Sequence, residues 1–185
     1  MKLKSPTASV CIVTYNNESD IEPCIQAVLQ QTYTVERIVV VDNASSDKTC
    51  EVVRCFGHPV QLIANKTNTG FAPAQNQAIS RTDSDYVLVL NPDVVLDSRY
   101  LAVLIDLMEK RKDIGSATGQ LVLASEPNLI DTTGITVDRF RRAADRGTRE
   151  PVEQWQESGE VFGVSGAATE SAAGDEVRGS LRVES

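Results

Sequence analysis

The sequence predicts an α/β fold built on a mostly parallel central sheet with helices on both faces. Three observations favour it: short β-branched apolar runs, helical periodicity between them, and polar residues where the runs end. Strands that alternate with helices need crossover connections, and these pair the strands in parallel. The 185 residues, 41% hydrophobic and 24% charged, suffice for a domain with a substantial core.

The first predicted elements are a strand over residues 8–14 (ASVCIVT) and a helix after it. Ser19 and Glu22 have the spacing of a capping box, which predicts that the helix begins there, with Pro23 tolerated in its first turn. A second strand is predicted over residues 37–42 (RIVVVD). The alternation then continues with a helix through 52–56 capped by the polar cluster 43–47, a strand at 60–64, a helix at 73–80, a strand at 86–90, a helix at 101–110 and a strand at 119–123.

Composition disfavours several classes of function. The formal net charge of -8 argues against general nucleic-acid binding, which needs a basic surface to neutralise phosphates. No apolar run approaches the roughly 18 residues of a membrane span, and the N-terminus lacks the apolar centre of a signal peptide, so we expect a cytoplasmic protein. The four cysteines form no C-x-x-C pair, which favours reduced core thiols over metal ligands.

Polar residues follow three of the predicted strands at the point where each strand ends. They are residues 14–16 (TYN), 42–43 (DN) and 91–93 (NPD). Asx residues are ordinary turn formers, so a turn alone explains any one of these sites. Because the carboxyl ends of parallel strands share one edge of the sheet, where ligands bind, the three together favour a binding site.

This expected binding site lacks the glycine-rich loop of common nucleotide-binding folds. Residues 14–20 (TYNNESD) stand where a dinucleotide fold carries G-x-G-x-x-G, and only Gly57 and Gly70 occur in the first hundred residues. A bound nucleotide would therefore need a cation to neutralise its phosphates. Pro92 ends the preceding strand, which can present Asp93 as an oxygen ligand for Mg²⁺ or Mn²⁺.

Four segments, ASVCIVTYNN, VVVDNASSDKT, NTGFAPAQNQAI and VLVLNPDVVL, resemble in order and spacing the nucleotide-sugar half of glycosyltransferase family two, which has the GT-A fold. The resemblance covers residues 8–97. It implies base contacts at the first two strand ends, sugar and ribose contacts in the third segment, and diphosphate-metal contacts in the fourth. The implied substrate-binding residues are Thr14, Tyr15, Asn16, Asp42, Asn43, Ser45, Gly70, Phe71, Asn76 and Asn91, with Asp93 as the metal ligand.

Two departures from the family pattern bear on the diphosphate. Asn91-Pro92-Asp93 matches the metal-binding D-x-D with its first acid replaced by an amide, a form common in the rhamnosyltransferase-like branch, which leaves Asp93 as the principal ligand. Gln77 and Ala78 stand where the family commonly has arginine and glycine, so a diphosphate contact of the family lacks its usual side chain here.

Residues 131–168 resemble the acceptor-side region of the same branch. We therefore expect a nucleotide-sugar-binding half at 1–123, a partial acceptor-side region at 124–168 and a loose tail at 169–185. Five arginines lie between Arg139 and Arg149. They form either a solvated loop or a patch for a lipid-diphosphate acceptor or anionic lipid heads. Trp155 either stacks on an acceptor sugar or covers the core, and His58 is interpreted as incidental.

Family members continue from this region through a hydrophobic helix to an acidic E-D segment that supplies the catalytic base. The sequence shows no such segment after Ala168, and Asp175 and Glu176 are a weak substitute. We therefore expect a chain that is truncated or divergent at its C-terminus and that self-associates through the uncovered apolar face. The catalytic residue stays unassigned.

Together these observations predict an inverting glycosyltransferase of cell-wall or polysaccharide synthesis. The expected donor is dTDP-rhamnose, with UDP-sugars next, and the expected acceptor is a glycan or a lipid-linked sugar. If the arginine patch binds lipid, we expect the protein to lie peripherally at the inner face of the cell membrane. The alternatives are a non-catalytic nucleotide-sugar-binding remnant and, more weakly, a Rossmann-type dehydrogenase, which the missing glycine fingerprint disfavours.

Overall fold

The computed structural model describes residues 5–137 and 139–155, together with the backbone of residues 177–180. The chain divides into two compact units, a first unit over residues 1–93 and a second unit over residues 94–185. No helix in the described ranges is long and apolar enough to cross a membrane.

The first unit is built on a four-stranded sheet with the order β3-β2-β1-β4. Its strands are β1 (Ala8–Thr14), β2 (Arg37–Asp42), β3 (Val60–Ala64) and β4 (Tyr86–Leu90). Every neighbouring pair is parallel. The four strands have the bounds that the sequence predicts, which confirms the parallel α/β architecture.

Three helices connect these strands: α1 (Ile21–Leu29), α2 (Thr49–Arg54) and α3 (Phe71–Ile79). One face of the sheet packs against α3, in a buried cluster of Cys11, Val13, Val39, Val41, Ala74 and Ala78. The residues of the opposite face are also fully buried: Val10, Ile12, Ile38 and Val40. Helix α2 contacts β2, β3 and α1. Burial on both faces explains why β1 and β2 are continuous apolar runs rather than alternating patterns.

The capping box predicted at the start of α1 is wrong. The helix begins at Ile21, and its N-cap residue, Asp20, makes no side-chain capping bond. The Ser19 hydroxyl donates to the Asp20 carboxylate at 3.0 Å instead, and the Glu22 carboxylate accepts a bond from within the helix at 3.1 Å. The chain turns one step earlier, because the Asn17 carbonyl accepts the backbone N–H groups of Asp20 at 3.2 Å and Ile21 at 3.1 Å. The first N–H groups at this end of the helix are therefore bound by the Asn17 carbonyl rather than by the Ser19 side chain.

The second unit contains helix α4 and a second four-stranded sheet. Its elements are β5 (Val94–Leu96), α4 (Tyr100–Lys110), β6 (Gln120–Leu123), β7 (Ile130–Thr132), β8 (Ile135–Val137), β9 (Ala143–Asp145), a short 3-10 helix (Val152–Gln154) and β10 (Val177–Ser180). The sheet has the order β5-β10-β6-β7, and β8 pairs with β9 as a separate hairpin. Helix α4 and strand β6 confirm their predictions to within one residue.

Strand β10 differs from the loose tail predicted for residues 169–185. Its backbone runs parallel to β5 and antiparallel to β6. The sequence VRGS has no apolar alternation, so pairing between two existing strands, rather than a hydrophobic pattern, places it there. The rest of that tail lies outside the described residues.

Candidate nucleotide-sugar site

The carboxyl ends of β1 and β2 lie side by side at one edge of the first sheet. Thr14 and Asp42 are paired across the two strands, and the backbone N–H of Asn43 donates to the Thr14 carbonyl at 2.8 Å. Strand β4 is the other neighbour of β1, and its chain continues into Asn91 and Asp93. The three strand ends singled out in the sequence therefore share one edge, which we call the carboxyl rim.

Hydrogen bonds join the loops that follow β1 and β2. The backbone N–H of Asn16 donates to the Ser45 hydroxyl at 2.9 Å, and the Asn16 side-chain oxygen accepts the backbone N–H of Ser46 at 2.8 Å. Asn16 has a φ of 55°, a left-handed conformation that asparagine tolerates better than most residues. One residue on, the N–H of Asn17 donates to the Thr49 hydroxyl at 2.9 Å. Asn16 thus joins the two loops, a role the sequence did not indicate.

Asp42 lies at the centre of these loops and is only 1% exposed. Its carboxylate accepts the backbone N–H of Ser45 at 3.0 Å and the Ser45 hydroxyl. Burial raises the pKa of the Cys50 thiol to about 11, and its contact with Asp42 contributes to the rise. These donors hold the carboxylate in one orientation. Tyr15, 51% exposed, presents an aromatic ring in the loop after β1.

Asn43 is a buried anchor for the loop between β3 and α3. Its side-chain N–H donates to the Gly70 carbonyl at 3.0 Å. Its side-chain oxygen accepts the amide of Asn65 at 3.1 Å, and the backbone N–H and hydroxyl of Thr69 at 3.3 and 3.1 Å. With 3% of its surface exposed, Asn43 uses both polar atoms within the protein. The structure therefore gives it a positioning role, and its contact with the substrate stays a prediction.

The loop that Asn43 holds leads into α3. Gly70 stands just before the helix with a φ of +84°, a region that favours glycine because it lacks a Cβ. Phe71 is 44% exposed at the first position of the helix, and Asn76 is exposed one turn further along. The Gln77 side-chain oxygen accepts the amide of Asn65 at 3.1 Å. Gln77 thus supports the loop from the position where the family commonly has arginine.

Asp93 carries a buried oxygen, Oδ1, that has no hydrogen-bond partner. Burial raises the pKa of the Asp93 carboxyl above its ordinary value, and the negative charge of Asp20 adds to the rise. Nearby, Asn91 is 9% exposed and its carbonyl accepts the Cys24 thiol at 3.4 Å. A desolvated carboxylate oxygen without a donor is costly, and a cation would relieve that cost.

This arrangement fits a divalent cation held mainly by substrate and water. No group of three or more His, Cys, Asp and Glu side chains in the described ranges could form a complete protein cage. Mg²⁺ commonly binds through one or two carboxylates and fills its remaining positions with water and phosphate oxygens. Asp93 Oδ1, buried and without a donor, would supply one such ligand.

Gln75 is a polar residue to which the sequence patterns assign no role. It is 6% exposed, and neither its side-chain nitrogen nor its oxygen has a partner. Ala74 and Ala78 face the sheet, while Gln77 reaches Asn65 beyond β3. Successive helical residues are rotated by about 100°, so Gln75 lies on the opposite flank of α3, on the β4 side. Only burial identifies this residue, since Asn76 and Gln77, which follow it, are equally polar.

In the second unit, two of the clustered arginines contact residues outside the cluster. Arg146 stacks over the Trp155 ring, 4.7 Å from its centroid, and Arg149 pairs with Glu126 at 3.5 Å. The Trp155 indole N–H donates to Glu150 at 2.8 Å. Trp155 is therefore engaged with its own unit. The candidate base residues Asp175 and Glu176, and the segment 161–168 that resembles the acceptor-side strand, lie outside the described residues.

Comparison with known proteins identifies the family. The sequence model of Glycosyl transferase family 2 matches residues 9–162. The poly-beta-1,6-N-acetyl-D-glucosamine synthase of Staphylococcus epidermidis is 25% identical over 124 residues, which are 66% of this chain and 30% of that protein.

Two solved structures share the fold. The mannosyltransferase PcManGT of Pyrobaculum calidifontis, solved in complex with GDP-Man and Mn²⁺, has a TM-score of 0.53 and 26% identity, over 63% of this chain and 34% of that one. Residues 1–349 of S. aureus TarS give a TM-score of 0.53 at 23% identity, over 57% of this chain and 33% of that one. The GT-A fold is thereby confirmed. The matched region spans about a third of the staphylococcal synthase, of the mannosyltransferase chain and of the TarS fragment 1–349.

Proposed function

We propose that this chain, which belongs to glycosyl transferase family 2, binds a nucleotide-diphosphate sugar at the carboxyl rim and serves sugar transfer in cell-wall or polysaccharide synthesis. The observation that carries the proposal is the buried, unpartnered Asp93 Oδ1 at the same rim as Asp42. The Asp42 carboxylate suits the nucleotide base, and the Asp93 carboxylate suits a diphosphate bound through a cation. The acceptor is a glycan or a lipid-linked sugar, and the reaction inverts the anomeric centre.

The nucleotide base would lie over the loops that follow β1 and β2. Asp42 is an acceptor held by Ser45, and uracil and thymine both offer an N3–H donor that adenine lacks. The exposed ring of Tyr15 offers a stacking surface beside it. These features favour UDP and dTDP over ADP. Within that group we place dTDP-rhamnose first, because the Asn91-Pro92-Asp93 form resembles the rhamnosyltransferase-like branch.

The diphosphate would lie between α3 and Asp93. Mg²⁺ or Mn²⁺, when bound, neutralises the charge that develops on the departing nucleotide diphosphate. Asp93 would hold that cation through Oδ1. Gln75, buried on the β4 side of α3 without partners of its own, offers a donor and an acceptor to the sugar or phosphate. The Mn²⁺ in the solved complex of the related mannosyltransferase supports a divalent cation.

A panel of donors tests this proposal. Binding of dTDP-rhamnose, UDP-N-acetylglucosamine, GDP-mannose and ADP-glucose is measured by calorimetry with Mn²⁺ present, and transfer to lipid-linked acceptors is followed by mass spectrometry. We expect the dTDP- and UDP-sugars to bind more tightly than the ADP-sugar. Equal affinity for all four would contradict the base pocket. Tight binding without transfer would favour the non-catalytic alternative over an enzyme.

A further inference from the structure

The hairpin of β8 and β9 ends in an exposed basic and aromatic turn. The two strands pair from Ile135 with Asp145 to Val137 with Ala143. Residues 139–142, with the sequence RFRR, form what we call the hairpin tip, and all four are exposed. Phe140 is 64% exposed, more than any other large hydrophobic residue in the described ranges.

The arginines of the hairpin tip are arranged around its aromatic ring. The guanidinium carbon of Arg139 lies 4.7 Å from the Phe140 ring centroid, and that of Arg142 lies 5.5 Å from it. Arg141, between them, has a φ of 61°, which turns the backbone sharply at the end of the hairpin. The tip thus combines three positive charges and one apolar ring in four consecutive residues.

Three of the five arginines between 139 and 149 lie in the hairpin tip, and all three are exposed. Of the other two, Arg146 stacks on Trp155 and Arg149 pairs with Glu126. A charge cluster alone is usually a solvated surface, but an exposed phenylalanine inside it adds an apolar group that water does not favour.

We propose that the hairpin tip docks on an anionic lipid bilayer. Charge complementarity favours this partner, since the tip carries three positive charges in a chain whose net charge is -8. A bilayer offers the exposed Phe140 ring an apolar interior beside its anionic phosphates, whereas a polyanion such as RNA has no such interior. At the bilayer, Phe140 enters the interface between headgroups and acyl chains while the guanidinium groups stay at the phosphates.

Vesicle sedimentation of the full chain tests the proposal. Vesicles of phosphatidylglycerol and phosphatidylcholine in equal parts are compared with vesicles of phosphatidylcholine alone. We expect binding to the anionic vesicles only, and weaker binding at about 0.5 M salt, where charges are screened within a few ångström. Arg139→Gln with Arg141→Gln should lower the partition coefficient about 25-fold, from about fivefold per basic residue. Phe140→Ala should weaken binding at both salt concentrations.

The matched control carries Arg54→Gln and Arg81→Gln, which remove the same charge from exposed positions of the first unit. It should bind as the wild type does, and the circular dichroism spectra of all variants should match. Equal binding to neutral vesicles, or equal losses in the control and the tip variant, would overturn the proposal. Binding that requires an added lipid diphosphate, rather than phosphatidylglycerol, would assign the tip to an acceptor and also overturn it.

Discussion

Replacing Asn43 by alanine tests whether this residue holds the site together or contacts the nucleotide. The substitution removes four hydrogen bonds, at 3.0 Å to Gly70, 3.1 Å to Asn65, and 3.3 and 3.1 Å to Thr69. At about 1 kcal/mol net for each bond, the upper limit is about 4 kcal/mol. Gly70 and Thr69 are exposed and regain water, so we expect a loss of about 2–4 kcal/mol in the free energy of unfolding.

The assay combines urea unfolding, followed by far-UV circular dichroism, with calorimetric binding of dTDP. Thr69→Val is a graded control, because it removes one of the four bonds and should cost about 1 kcal/mol. Donor affinity should fall with Asn43→Ala, since the Gly70 loop loses its anchor. The reasoning would be refuted if Asn43→Ala kept its stability within about 0.5 kcal/mol of the wild type. Lost dTDP binding at unchanged stability would instead restore Asn43 as a direct contact.

Three further outcomes are expected. Asp42→Ala should weaken UDP and dTDP binding by about 1.5–3 kcal/mol, the worth of a hydrogen bond to a charged group. ADP should bind poorly to both the wild type and this variant. An equal loss of affinity in Ser45→Ala would mean that the loop, rather than the Asp42 carboxylate, accounts for the effect. Gln75→Leu should raise the unfolding free energy by about 1 kcal/mol or more, because it removes a buried amide without partners. It should also lower the affinity for a dTDP-sugar. A destabilised variant would mean that the Gln75 amide has hydrogen-bond partners in solution. Without metal, Asp93→Asn should raise the melting temperature at neutral pH, because the raised pKa of Asp93 means that ionisation costs folded-state stability. That gain should vanish as the pH falls through the raised pKa and the wild-type carboxyl is protonated, and a gain independent of pH would contradict the assignment.

The central strands of the first unit, β1 and β2, were predictable from the sequence because they are buried on both faces. Such strands are continuous apolar runs with sharp polar ends, so β1 and β2 could be delimited to the residue. In the second unit, β7, β8 and β9 are three residues each, too short to show a periodicity. Strand β10 depends on partners distant in the chain, which no local pattern reports.

The site was predictable as a set of residues but not as a set of roles. Strand ends placed Thr14 and Asp42 at one rim because the topology brings them together. A side-chain amide, however, can either contact a ligand or hold the protein's own loops, and only its hydrogen-bond partners in the folded protein distinguish these two roles. Asn43 is fully engaged within the protein, whereas Gln75 is buried without a partner. The sequence letters of these two amides do not reveal that difference.

The most direct test of the central claim is the metal dependence of dTDP binding. Calorimetry is run on the wild type with Mn²⁺ and with chelator, then on Asp93→Asn and on Asp83→Asn, a control that removes the same charge from an exposed position. We predict that the wild type and Asp83→Asn lose most of their affinity with chelator, and that Asp93→Asn binds weakly in both conditions. If chelator leaves the wild-type affinity for dTDP unchanged, Asp93 holds no cation for the diphosphate and the account is contradicted.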